Sequence, residues 1–326
     1  MRKITVLVLI ASTDKRAEAF RKTIDQRPLL SDHVDLRFAA LPDAARAIKD
    51  AEVVECIDLP SDLLAAAPNL RWVSFWSAGL DNRITSETEA RGLMVTSASG
   101  VHGPNIAEQV MGYMLMFARK MPVFIRAQIK AEWLHDNKGF EELTGKTLGI
   151  AGFGHIAQTL AARARGFGMR ILATRRELSG DDASGLADAL YASKDLPLML
   201  AESDHVCIAV PYTKDTHHLF DAPMLGKMKP TAYLYNISRG KVVDERALIA
   251  ALQAKQLRGA GLDVFETEPL PADSPLWSME NVIITPHVAG FTPYYFDRAA
   301  ALLADNLERY LEGSPLRNLY DSARGY

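Results

Sequence analysis

Cysteine is scarce in this chain of 326 residues, where Cys56 and Cys207 are the only two. Two thiols in separate apolar stretches are too few for a cysteine-held metal cluster, and both read as small buried residues. No metal site is expected. Neither sign of charge dominates, with 37 Lys and Arg against 40 Asp and Glu and a formal net charge of −3. That balance gives no reason to expect a nucleic-acid partner or an acidic membrane surface. No apolar run approaches the length of a membrane span. Internal repeats and low-complexity tracts are also missing.

The N-terminus carries Arg2 and Lys3 before the apolar run Ile4–Ala11. That layout faintly resembles a secretory signal. The run is short and β-branched, and Asp14-Lys15-Arg16 follows without a small-residue cleavage site. A first buried strand and a cytoplasmic protein are therefore expected. The length suits two domains.

Short apolar runs alternate with helical patterns, which predicts an α/β protein with two Rossmann-like or flavodoxin-like domains built on parallel sheets. In the first part, strands are expected at Ile4–Ile10, Val34–Phe38, Val53–Ile57, Trp72–Phe75 and Met94–Thr96, with helices such as Lys15–Asp25 and Ser61–Ala66. A long helix is expected from His102 to Arg119, and another after Pro122. The polar segment Asp136–Lys138 leads into a second α/β set. Its six expected strands are Thr147–Ala151, Arg170–Ala173, His205–Ala209, Ala232–Asn236, Gly259–Asp263 and Val282–Thr285. A last helix, about Pro293 to Leu311, is expected to return to the first domain. The boundaries are then 1–99 plus 292–326 for a substrate domain and 100–291 for a dinucleotide-binding domain.

Within the second set, Thr147-Leu148-Gly149-Ile150-Ala151-Gly152-Phe153-Gly154-His155-Ile156-Ala157 reads as a buried strand, a glycine turn and a helix start. This is the G-x-G-x-x-G/A layout of a dinucleotide site. Gly152 allows the tight turn, Gly154 allows close approach of a pyrophosphate, and Ala157 lets helix and strand pack closely. The helix start, at His155 and Ile156, offers free N–H groups and a positive dipole end to phosphate.

Three later strand ends carry unusual residues: Arg239 in Tyr235-Asn236-Ile237-Ser238-Arg239-Gly240, Glu268 after Asp263-Val264-Phe265, and His287 in Thr285-Pro286-His287. Ligands of open α/β sheets bind beyond the carboxyl ends of strands. Singly, each has a plain reading as a solvated or turn residue. Together they suit carbonyl reduction. Arg239 can hold a keto oxygen and a carboxylate through its planar fork. His287 can pass a proton, since imidazole titrates near neutral pH. Glu268 can orient the imidazole.

These stretches, with Leu143–Ile150, Gly166-Phe167-Gly168-Met169, Glu268-Pro269-Leu270 and Thr285–Gly290, resemble the D-isomer-specific 2-hydroxyacid dehydrogenases over nearly the whole chain. The resemblance is to glyoxylate and hydroxypyruvate reductases in particular. It implies an active site in the interdomain cleft, with Arg239 on the substrate and Glu268 paired with the catalytic His287. It also places Asp263 near the nicotinamide. The loop Ser77-Ala78-Gly79-Leu80-Asp81 would hold the substrate carboxylate on the N–H groups around Ala78 and Gly79.

One departure bears on the cofactor. Members that prefer NAD usually carry Asp at the end of the second dinucleotide strand, where this chain has Thr174-Arg175-Arg176. Two guanidinium groups suit a 2′-phosphate, so NADP(H) is expected to be favoured, with NAD(H) possible. Cofactor contacts are expected at Gly152, Gly154, His155, Ile156, Thr174, Arg175, Arg176, Ile237, Ser238 and Asp263. The reaction implied is reduction of a small 2-keto acid to the D-2-hydroxy acid. Alternatives are a dehydrogenase of another small anion, of the formate or phosphite type, and a cofactor-sensing corepressor-like protein. Trp76 and Trp133 could narrow the pocket, but both read better as core or interface aromatics. Apolar residues on the helix from His102 and around Phe124–Trp133 point to a homodimer.

Overall fold

The computed structural model describes residues 2–80, 83–135, 138–176 and 184–322. Asp81 of the carboxylate-loop match and Asp136 of the polar segment lie outside the described residues. The chain divides into two compact units, Met1–His102 with Thr292–Tyr326, and Gly103–Phe291.

The first unit holds five strands: β1 (Ile4–Val8), β2 (Val34–Phe38), β3 (Val53–Cys56), β4 (Trp72–Phe75) and β5 (Met94–Ser97). All pair in parallel in the order β2-β1-β3-β4-β5, the flavodoxin-like arrangement. Ile4, Val6, Val8, Val53 and Trp72 face one buried cluster, which includes Phe20 of the helix Lys15–Asp25 and Leu303 and Leu307 of the helix Tyr295–Glu312. The C-terminal helix thus supplies one side of this unit's core.

The second unit holds β6 (Thr147–Ala151), β7 (Arg170–Arg175), β8 (Ala189–Ala192), β9 (His205–Ile208), β10 (Tyr233–Asn236), β11 (Gly259–Leu262) and β12 (Val282–Ile284). Their order is β12-β11-β10-β9-β6-β7-β8, and every pair is parallel. Among the described residues the sheet has seven strands rather than the expected six. The added strand, β8, is a four-residue edge strand with every residue only half-buried. At four residues it is short, and it lacks the burial on both faces that β6, β9 and β10 have.

Alternate residues of those central strands feed two cores. Leu148, Ile150, Cys207 and Tyr235 meet the helices Gly103–Ala118 and His155–Gly166. Val206, Ile208 and Leu234 meet the helices Leu196–Glu202 and Glu245–Gln253. Most apolar side chains of Gly103–Ala118, including Ile106, Val110, Met111 and Met114, are consumed in this core. That helix therefore does not supply the spare apolar face that the sequence suggested. Among the described residues, no helix is long and apolar enough to cross a membrane.

Candidate active site

Strand register brings the predicted residues of the second unit to one sheet edge. Ala151 pairs with Ile208, Ile208 with Asn236, Asn236 with Leu262, and Leu262 with Ile284. One row thus crosses five strands, and the residues just beyond it are Gly152, Ala209, Ile237, Asp263 and Thr285. Arg239 and His287 each follow two residues later. The chain order reverses between β6 and β9, so the glycine turn sits at the topological switch point of the sheet.

Gly152 has φ +91°, and a Cβ there would lie 2.9 Å from the Ala209 carbonyl oxygen. Only glycine meets both demands without strain. Its N–H donates to Thr174 Oγ1 at 3.0 Å, which ties the turn to the end of β7. Gly154 begins the helix His155–Gly166 with no side-chain cap, and nothing lies within 4 Å of where its Cβ would be. An uncapped helix start beside open space is what a pyrophosphate requires, so these residues fit a dinucleotide. Arg175 ends β7 with its guanidinium 5.4 Å from the Phe153 ring, close to the turn, and Arg176 is exposed. His155 is exposed and Ile156 half-buried at the helix start.

Thr174, Ile237 and Asp263 turn inward instead, each less than 10% exposed. Thr174 braces the glycine turn, and Ile237 joins the apolar core. Asp263 organises a loop. Its Oδ1 accepts the Val288 N–H at 3.0 Å and the Thr285 hydroxyl, and its Oδ2 accepts the Ala289 N–H at 3.0 Å. The Asp263 carbonyl accepts the His287 N–H at 2.8 Å. Thr285 is bonded in turn to the Tyr113 hydroxyl. Burial of Tyr113 raises its phenol above the ordinary range, so it stays a neutral hydroxyl in this chain of bonds.

His287 sits within that loop at φ +54°, a left-handed conformation uncommon outside glycine. Its Nδ1 is 2.7 Å from Glu268 Oε2, and Glu268 Oε1 accepts the Phe265 N–H at 3.0 Å. The carboxylate accepts only, so Nδ1 carries the proton between them and Nε2 is left for a substrate. Half of the His287 side chain is exposed, which keeps it accessible.

Arg239 follows β10, two strands from β12 and His287, and is half-buried, with Nη1 donating to the Ser238 carbonyl at 2.8 Å. Its loop is built on Asn236, a residue the sequence reading passed over. Asn236 Oδ1 accepts the Ser238 N–H at 3.1 Å, and Asn236 Nδ2 donates to the Arg239 carbonyl at 3.1 Å. An Asn at a strand end ahead of Ser-Arg-Gly is a legible turn signal. Gly240 follows because a Cβ there would fall 1.9 Å from the Phe265 backbone. The loop carrying Arg239 thus lies against the loop leading to Glu268. Glu245 and Glu266 reinforce the second loop by exchanging backbone N–H bonds at 3.2 and 3.1 Å, and His218 Nε2 lies 2.8 Å from Glu266.

In the first unit, Ala78 and Gly79 are half-buried in the loop after β4, whose start is held by the Ala98 N–H donating to the Ser77 carbonyl at 2.9 Å. Trp76 is buried against Phe20 and Phe296, so it belongs to that unit's core. Trp133 is the opposite case, 97% exposed. Among the described residues, no group of His, Cys, Asp or Glu is placed to hold a metal ion.

Residues 111–289 match the family profile of the NAD-binding domain of D-isomer-specific 2-hydroxyacid dehydrogenases. The chain is similar to a glyoxylate reductase of Thermofilum pendens, 37% identical over 275 residues that cover 82% of this chain and 80% of that protein. It is similar to glyoxylate/hydroxypyruvate reductase B of Shigella boydii, 41% identical over 261 residues, 78% of this chain and 79% of the relative. Among solved structures, the D-isomer-specific 2-hydroxyacid dehydrogenase of Xanthobacter autotrophicus Py2, in complex with NADPH and MES, is 28% identical. The similarity to it spans all of both chains with a TM-score of 0.80.

Proposed function

The chain belongs to the D-isomer-specific 2-hydroxyacid dehydrogenase family, and from that premise we propose that it reduces a small 2-keto acid to the D-2-hydroxy acid, with NADPH preferred over NADH. The observation that carries the reading is the 2.7 Å contact of Glu268 with His287 Nδ1, which leaves Nε2 to donate a proton. Glyoxylate and hydroxypyruvate are the proposed substrates, since similar reductases carry those names.

A nicotinamide cofactor held at Gly152, Gly154 and the helix start would supply the hydride for the carbonyl carbon. Protonated His287 donates from Nε2 to the carbonyl oxygen as negative charge develops there. Glu268 holds the imidazolium by charge and orientation. Arg239 takes the carbonyl oxygen and a carboxylate oxygen, where its fixed fork stabilises the oxyanion. Ala78 and Gly79 are proposed to give their backbone N–H groups to the substrate carboxylate. Gly152, Gly154, His155, Ile156 and Ser238 are proposed as cofactor contacts. Thr174, Ile237 and Asp263 would shape the wall behind them.

The NADPH preference rests on Arg175 and Arg176 at the end of β7, where a carboxylate would repel a 2′-phosphate. NADH and NADPH consumption against a panel of 2-keto acids tests both parts. A higher kcat/KM with NADPH is expected, and Arg175→Asp should lower it and move preference toward NADH. Equal or better use of NADH by the wild type would overturn the preference. Cofactor binding without turnover on any keto acid would favour a cofactor sensor.

We also propose a homodimer formed through the second unit. Met121, Ile125 and Ile129 place exposed apolar groups four residues apart on the helix Met121–Ile129, and Trp133 follows. Such a stripe is a docking face when it has no intrachain cover. Light scattering should give twice the monomer mass, and a monomer at micromolar concentration would refute the assignment. A cytoplasmic location completes the proposal, in keeping with two free, buried thiols.

A further inference from the structure

The first unit contains buried polar atoms that the reaction above does not use. Among the described residues, Glu55 Oε2, Trp76 Nε1 and Ser77 Oγ are buried and have no hydrogen-bond partner. Glu55 lies on β3, in register with Ser74 of β4. Side chains two apart on a strand share a face, so Glu55, Ser74 and Trp76 lie on one side of the sheet. The Ser74 hydroxyl and the Trp76 indole are the polar groups facing the carboxyl. The backbones are tied as well, since the Trp76 N–H donates to the Cys56 carbonyl at 2.9 Å. Trp76 and Ser77 lead directly into Ala78 and Gly79.

Glu55 is 2% exposed. An ionised carboxylate in that position requires a cation or several donors. Among the described residues, no Lys, Arg or His forms an ion pair with it. The titratable side chain that faces it is Tyr295, at the start of the last helix, while Cys56, next on its own strand, points to the other face of the sheet. His102 stacks on Tyr295 with ring centroids 5.0 Å apart. Arg83 acts on Cys56 and is engaged by Asp58. Arg16 lies over Phe296, the ring that edges onto Trp76. None of these neutralises a Glu55 carboxylate. Burial pushes the carboxyl up to about 8, outweighing the opposite influence of the nearby Ser74 and Trp76 donors.

We propose that Glu55 is a positioning residue for the substrate's carboxylate: its neutral carboxyl supports Trp76 and Ser77, and through them sets the backbone N–H groups of Ala78 and Gly79. The inference rests on the reading of that loop as the carboxylate site. Ionisation of Glu55 places an uncompensated negative charge behind a loop that must receive an anion. It also draws the Trp76 N–H toward the carboxylate. The Trp76 carbonyl, held by the Tyr295 hydroxyl, transmits any movement to the loop.

The test measures kcat and KM for glyoxylate at pH 7 and pH 9 in the wild type and in Glu55→Gln, the uncharged conservative variant. With a midpoint of about 8, about one molecule in ten keeps the neutral carboxyl at pH 9, so wild-type KM should rise about tenfold. Glu55→Gln should lack this added rise, while kcat follows the same pH course in both proteins. Equal KM profiles in the two would overturn the proposal. Tryptophan emission of the substrate-free wild type provides a readout that needs no variant, because Trp76 faces the titrating carboxyl. An emission titration with no change in KM would overturn the role of the loop in carboxylate binding. No emission titration at all would overturn the coupling of Glu55 to Trp76.

Discussion

Replacing His287 with alanine is expected to lower kcat for 2-keto acid reduction by about a hundred- to ten-thousandfold. The side chain is half exposed and packs in no apolar cluster, so its loss should leave the second unit folded. The glycine turn and helix start make no bond to His287, so NADPH binding, read by fluorescence, should be unchanged. Glu268→Gln is the informative companion. Gln keeps an oxygen that can accept the Nδ1 proton but removes the charge that stabilises the imidazolium. Its single oxygen can serve either the Nδ1 proton or the Phe265 N–H, so one of these two bonds is lost. A smaller fall in kcat than in His287→Ala is therefore expected, again with cofactor binding intact. Wild-type turnover in His287→Ala would remove it from the mechanism and shift the proton donor elsewhere.

The fold and the strand-end positions of Arg239, Glu268 and His287 were legible because each left a local signal. Strands β6, β9 and β10 are buried on both faces and so read as continuous apolar runs. Arg239, Glu268 and His287 stand out as polar residues just beyond such runs. β8 was illegible because Ala-Leu-Tyr-Ala at a half-buried edge carries little pattern. The roles of Asn236 and Thr174 are set by hydrogen bonds between segments distant in sequence or folded back on themselves, and single residues do not announce their partners. The apolar content of the helix Gly103–Ala118 looked like surplus because the sequence does not show how much of it one core takes up. Glu55 looks like an ordinary strand-end acid in the sequence. Its burial became visible only once the helices covering the sheet were in place.

Asp263→Asn should show whether this carboxylate acts through the loop that presents His287 or on the nicotinamide. Three donors converge on this carboxylate: the Thr285 hydroxyl and the N–H groups of Val288 and Ala289. An Asn has one acceptor oxygen and one donor group, so at least one N–H would face another donor. An unsatisfied buried group of this kind costs about 1–3 kcal/mol, and the melting temperature should fall. The catalytic cost follows from the backbone. His287 is held at φ +54° between residues anchored to Asp263, a conformation worth about 1–3 kcal/mol of strain that persists only while its surroundings impose it. Releasing the anchor lets the imidazole drift from Glu268, and displacement of a reacting group by about 1 Å can lower the rate about a hundredfold. The expected signature is a large fall in kcat with KM for NADPH unchanged. A raised KM for NADPH with kcat preserved would mean that Asp263 acts on the nicotinamide. Only the first outcome fits a carboxylate whose oxygens are already turned inward to the loop that presents His287.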